Sequence, residues 1–214
     1  VINSGTLSAG SKYLMTFVSK DFEITAKPIT VTADALQMRV YGAVDPVFTY
    51  SVSPSLVGSD TFTGALTRVA GEDVQTYAIE QGNLSAGSNY EITYAGKDFE
   101  ITAKPITVTA TASQTKVYGT ADSALTYSVS PLLVGSDSFT GSLTRIAGES
   151  VRSYTIGQGS LSVGSNYTVT YVGDDFAITA KPITVTADDS HTKVYGTADP
   201  VFTYSVSPSL VGSD

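Results

Sequence analysis

His191 is the residue that first invites a chemical reading. It is the single histidine, and it follows Asp188, Asp189 and Ser190, so base, acid and nucleophile types stand side by side. A Ser-His-Asp triad, however, is an arrangement in space with each hydrogen bond oriented, which adjacent residues do not provide. The positions 77 and 154 residues earlier hold Gln114 and Gln37, so His191 is expected to be a variable surface residue. The acids are more regular. Asp45, Asp122 and Asp199 share one phase of that spacing, Asp60, Asp137 and Asp214 a second, Glu72 and Glu149 a third, and Asp21, Asp98 and Asp175 a fourth. Calcium takes about six to eight oxygens, and acidic turns could supply them, but no Asp-x-Asp-x-Asp loop is present. Asp also forms turns by capping its own backbone, and that is the role expected here, with structural calcium the weaker alternative.

Three further chemistries have some of their residue types here. Paired carboxylates hydrolyse glycosides only when a cleft raises one pKa, and a short β domain repeated without insertions offers none. Lys27, Asn89 and Glu72 have the residue types of a Lys–Asn isopeptide crosslink assisted by an acid. Lys12 stands where Asn89 is expected in the preceding copy, which argues against an obligatory bond. The 13 tyrosines could present a sugar- or protein-binding face, yet Tyr50, Tyr77, Tyr90 and Tyr94 follow the apolar stripe and belong in a core. No catalytic, cofactor-binding or metal-ligating residue is assigned, no cofactor is expected, and the chain is not expected to be an enzyme.

Composition narrows the field in the same direction. With 12 Lys and Arg against 20 Asp and Glu, the net charge of −8 repels phosphate backbones and disfavours nucleic acid. The absence of Cys removes disulfides, thiolate metal sites and thiol nucleophiles together. No apolar run approaches the roughly 20 residues that span a bilayer, so no membrane insertion is expected in this segment. No stretch resembles a signal peptide, and a secretion signal would have to lie outside these residues.

The elements that must position any site come from a repeat. Lys-Pro-Ile-Thr-Val-Thr-Ala starts at Lys27, Lys104 and Lys181, and Val-Tyr-Gly recurs at Val40, Val117 and Val194, a period of 77. The copies 27–103 and 104–180 are identical at 52 of 77 positions without insertion or deletion, which fixes the organisation. Residues 1–26 read as the C-terminal part of an earlier repeat and residues 181–214 as the N-terminal part of a later one. They are expected to repeat the conformations of 78–103 and 104–137. Such a period exceeds a solenoid unit and suits a small domain with its own core.

Within a copy, apolar residues alternate with period two. Ile29, Val31 and Ala33 share a face opposite Thr30 and Thr32, and Phe48, Tyr50 and Val52 alternate with Thr49 and Ser51. Gly, Pro and Asp punctuate these runs, and no stretch keeps a helical period, although Pro54 to Asp60 could form one short helical turn. The reading is all-β, with roughly six or seven strands per copy. Phe99-Glu100-Ile101-Thr102-Ala103 runs directly into Lys104-Pro105-Ile106 with no Gly/Ser linker, so the copies are expected end to end as an extended rod.

These motifs in their fixed order resemble the MBG ("mostly beta grasp") repeats of very large bacterial surface adhesins. The likeness covers Lys-Pro-Ile-Thr-Val-Thr-Ala, Val-Tyr-Gly with Asp45-Pro46 behind it, Leu-Val-Gly-Ser-Asp, Gly64 to Arg68, Ala-Gly-Glu and Asn-Tyr. Ser123 departs from Pro46 and Pro200. The resemblance implies tandem β-grasp-like domains, secretion to the bacterial cell surface, and a place in an adhesin or filament, as in biofilms. The function expected is a spacer that projects a distal binding domain. The alternative is that the repeats themselves adhere or self-associate through weak multivalent carbohydrate or protein contacts. Neighbouring repeats are the expected partners, with head-to-tail or filament self-association beside them.

Overall fold

The computed structural model describes residues 1–212, so Asp214 of the recurring acids lies outside the described residues. The chain separates into two compact units, Val1–Thr102 and a second that begins at Ala103. In the first unit, the repeat forms β1 (Lys27–Ala33), β2 (Gln37–Val40), β3 (Tyr50–Ser53), β4 (Thr67–Arg68), β5 (Thr76–Glu80), β6 (Tyr90–Ala95) and β7 (Asp98–Thr102). These make two sheets. One has the order β3-β1-β6, with β1 antiparallel to β3 and parallel to β6. The other has the order β2-β7-β5-β4, with β2 parallel to β7 and the remaining pairs antiparallel.

The alternation in the sequence becomes burial. Ile29, Val31 and Ala33 of β1 are buried, while Thr30 between them is exposed. Val31 and Ala33 from one sheet meet Tyr77, Ile79, Phe99 and Ile101 from the other in a single cluster. Of the tyrosines expected in the core, Tyr77 is in this cluster and Tyr50 and Tyr94 pack on its margin, while Tyr90 is buried outside it. Phe99 sits at the centre, fully buried, with the Phe48 ring edge-on at 5.2 Å. Gly71 marks the tightest approach to this core. At φ +151° it occupies glycine's region, and a Cβ there would lie 2.2 Å from Tyr77 Cε1.

The second unit repeats the plan with β8 (Lys104–Ala110), β9 (Gln114–Val117), β10 (Tyr127–Ser130), β11 (Thr144–Arg145), β12 (Ser153–Gly157), β13 (Tyr167–Val172) and β14 (Asp175–Thr179). Its sheets run β10-β8-β13 and β11-β12-β14-β9. No helix occurs among the described residues. The segment from Pro54 to Asp60 is a loop and not a helical turn, because side chains claim the backbone groups a helix would use. Lys27 Nζ donates to the Ser55 carbonyl at 2.8 Å, and the Val57 amide donates to Tyr90 Oη at 2.8 Å.

The two partial copies behave differently. Residues after Lys181 form β15 (Thr184–Ala187) and β16 (Tyr204–Ser207), paired Thr184↔Ser207 to Ala187↔Tyr204, the register of β1 with β3. Residues 1–26 do not reproduce the strands of 78–103. They keep one bridge, Ile2 N to Lys20 O at 2.6 Å, the counterpart of Ile79 N to Lys97 O. The reason is the pairing order: β6 needs β1 beside it and β7 needs β2, and both partners precede them in a repeat. Phe22 is therefore 69% exposed, where its counterpart Phe99 is 0% exposed.

Replacing Phe99 by Ala should destabilise repeat 27–103 by about 3–5 kcal/mol, whereas a surface truncation should change stability by less than about 0.5 kcal/mol. Val47, 86% exposed, is the surface control. Urea unfolding of F99A and V47A measures both.

Candidate functional site

The polar side chains that matter lie on opposite edges of the four-stranded sheet. In β2, the inward phase that buries Phe99 and Ile101 across the ladder falls on Arg39, which pairs with Ile101 and is 7% exposed. In β4, Arg68 pairs with Ile79 and faces the same side. A buried guanidinium must be paired and fully hydrogen-bonded. Two carboxylates from distant loops do this. Arg39 Nε donates to Asp45 Oδ1 at 2.6 Å, and its Nη2 donates to Glu72. Arg68 Nε donates to Asp45 Oδ2 at 2.6 Å and its Nη2 to Glu72 Oε1 at 3.1 Å. Arg68 Nη1 also donates to the Gly71 carbonyl at 2.6 Å. Its guanidinium lies over Tyr77 and Phe99, at 4.9 and 5.4 Å from the ring centroids. Two cations and two anions thus form a closed clasp from edge to edge over the middle strands.

The second repeat builds the same clasp with a different cation. Lys116 Nζ stands 2.6 Å from Asp122 Oδ1 and 2.5 Å from Glu149 Oε2. Arg145 reaches Asp122 Oδ2 at 2.7 Å and Glu149 Oε1 at 2.8 Å, over the rings of Tyr154 and Phe176. In the last copy Lys193 pairs with Asp199. The hydrogen bond from Arg145, followed by that from Lys116, holds the Asp122 carboxyl down at about 2. Asp45 is lowered likewise, chiefly by Arg68, against a burial that raises it. Lys116 is raised, chiefly by its hydrogen bond to Asp122. At neutral pH all four groups are ionised and mutually satisfied.

The recurring acids within the described residues have partners or exposed positions. Asp45, Asp122, Glu72 and Glu149 recur because they neutralise buried cations, which corrects their reading as turn formers alone. Their oxygens face guanidinium and ammonium groups. Among the described residues, no group of three or more His, Asp or Glu side chains is placed to hold a metal ion. Asp60 accepts from Tyr90 Oη at 2.6 Å and Asp137 from Tyr167 Oη at 2.5 Å, so this pair ties the Leu-Val-Gly-Ser-Asp loop to β6 and β13. Asp98 and Asp175 begin exposed strand ends, and Asp21 is exposed. Lys27 serves the Ser55 carbonyl while Glu72 serves the two arginines, so the crosslink candidates answer to different partners.

His191 also gains a role. Gln37 Oε1 accepts from the Thr49 amide at 2.8 Å, and its Nε2 donates to the Thr49 and Asp34 carbonyls. Gln114 repeats this with Thr126 and Thr111, and His191 Nε2 accepts from Thr203 N at 3.4 Å. The position clamps a loop in each copy, and His191 is exposed, the variable surface residue expected from the sequence. What sequence reasoning missed was the basic partner: Arg39, Lys116 and Lys193 stand two residues beyond the clamp in every copy, and in the two complete repeats that position is buried on a strand.

A family model described as MBG domain (YGX type) matches residues 29–100, 106–177 and 183–214. The chain belongs to this MBG family. Its Tyr-Gly turns at 41–42, 118–119 and 195–196 fall inside the three matches, each with a positive-φ glycine. The MBG match confirms the tandem organisation and the all-β class together. No curated protein and no solved structure matches the chain.

Two outcomes follow from the clasp. Because the folded pKa of Asp122 is about 2 against an ordinary 3.8, its stabilisation is present above about 3.8 and is lost as pH falls through about 2. Acid titration of the MBG chain by circular dichroism should therefore show the stability of repeat 104–180 declining over that window, with Asp122→Asn flattening the decline. Arg68→Ala should cost repeat 27–103 about 2–3 kcal/mol in urea unfolding, below the roughly 3–5 of a fully buried pair because the carboxylates reach solvent.

Proposed function

We propose that this chain is a spacer. Its repeats supply length in a large secreted protein of the bacterial cell surface, an adhesin or filament, and hold a distal binding domain away from the cell. The observation that carries the reading is the pattern of difference between the two complete copies. Every buried apolar residue of the first, from Ile29 through Ile101, has the identical residue 77 positions on, from Ile106 through Ile178. The charged surface is exchanged freely: Gln75 becomes Arg152, Glu80 Gly157, Glu91 Thr168, Lys97 Asp174 and Glu100 Ala177, all at positions exposed in the first copy. A ligand site used in each copy would have to keep its charges, whereas a spacer has to keep only its fold.

The same reading makes the repeats non-enzymatic, since their buried charges are spent on one another in the clasp. It also draws support from the absence of any linker sequence: β7 ends at Thr102 and β8 starts at Lys104.

Small-angle scattering tests the reading on the 214-residue chain and on versions lengthened by two and four repeats. The maximum dimension should grow linearly, by roughly 35–45 Å per repeat for a domain of this size and strand length. Growth with the cube root of mass would overturn it, and concentration-dependent association or glycan binding by the repeats would favour the adhesive alternative.

A further inference from the structure

The loop that follows the third strand of each repeat is tied down by a lysine side chain and carries a valine at one fixed position. In the first repeat Lys27 holds Ser55, and Tyr90 holds both the Val57 amide and Asp60. Val57, on this pinned loop, is 58% exposed. The second repeat makes the same ties from Lys104 to Leu132 and from Tyr167 to Val134 and Asp137. In the last copy Lys181 Nζ holds the Ser209 carbonyl at 2.7 Å, and Val211 occupies the position of Val57.

Val211 is not bare. It is half-buried against the Tyr118-Gly119 turn of the preceding repeat. A Cβ built on Gly119 would fall 2.4 Å from Val211 Cγ2 and 3.2 Å from Cγ1, so the valine fills the space a side chain at 119 would need. The turn that offers this space is itself fastened, since the Tyr118 amide donates to the Thr179 carbonyl at the end of β14 at 2.9 Å. Around it Tyr118, Val151, Ala180, Ile183, Leu210 and Val211 line a cleft of about 210 Å³, with apolar groups from both repeats. Tyr-Gly recurs at 41–42, 118–119 and 195–196, and Leu-Val-Gly at 56–58, 133–135 and 210–212, so every copy carries both halves of the fit.

We propose that the Tyr118-Gly119 turn is a socket for Val211 of the following repeat, and that this joint locks the head of that repeat onto the end of repeat 104–180. The glycine then serves two demands at once: a φ of +84° and an empty side-chain position. The purpose of the joint rests on the spacer reading, because a spacer gains stiffness from fixed junctions; its existence does not.

Hydrogen–deuterium exchange on the full 214-residue chain tests it. Gly119→Ala both strains the backbone and blocks the socket. Gly164→Ala imposes the same strain in the same repeat, at φ +84°, with nothing within 4 Å. Val211→Ala empties the socket without touching repeat 104–180. G119A and V211A should each speed exchange in β15 and β16 about tenfold, the factor that roughly 1.4 kcal/mol represents, and G164A should leave those strands as they are. Equal exchange in G119A and G164A, or no change in V211A, would overturn the joint. If G119A also loses protection in β8 to β14, V211A decides. Unchanged exchange with a linear growth in length would remove the joint and keep the spacer; faster exchange without that growth would do the reverse.

Discussion

The clasp of two cations and two carboxylates is the constraint around which each repeat is arranged. It joins β2 to β4, the two outer strands of a four-stranded sheet, over the core face of the strands between them. β4 is only two residues long and is held by a single neighbour, which is too little to keep a strand in place without further anchorage. Arg68 supplies that anchorage through Asp45, Glu72 and the Gly71 carbonyl, and its flat face covers Tyr77 and Phe99. The loops that deliver Asp45 and Glu72 are thereby fixed as well. An apolar pair at the same place would bury as much surface but would not choose between loop conformations.

The two complete copies show what this constraint demands. Arg39 becomes Lys116 with both carboxylate partners kept, so the requirement is a cation of sufficient reach and not a particular hydrogen-bond fork. Arg68 and Arg145 are the same residue in both, and each uses the planar guanidinium against two rings and two carboxylates at once. A lysine could not cover the rings in that way.

Much of this fold was legible in the sequence because it is local. Period-two alternation in 27–33 and 98–102, turn residues between strands, and the 77-residue period gave the strands, the core and the copies. What was not legible was long-range. Asp45 lies 23 residues from Arg68 and Glu72 lies 33 from Arg39, and Asp45-Pro46 carries every local mark of a turn. Only the strand order β2-β7-β5-β4 reveals that the acids converge on cations. The hydrogen bond shared by Gln37, Gln114 and His191 was obscure for a related reason: its backbone partner lies 12 residues away. Residues 1–26 failed to reproduce 78–103 because a strand's identity belongs to its pair.

The parallel pairing of β1 with β6 and of β2 with β7 has a mechanical meaning. β1 opens the repeat and β7 closes it, and each has a parallel neighbour along most of its length, from Lys27↔Tyr90 to Thr32↔Ala95 and from Gln37↔Phe99 to Val40↔Thr102. A tension that draws Lys27 backward along β1, or Thr102 forward along β7, loads these hydrogen bonds in shear. The bonds of each ladder then share the force and must yield together, instead of parting one at a time as in a peeled antiparallel edge. The rate of yielding under force, and not the equilibrium stability, is what such a ladder sets.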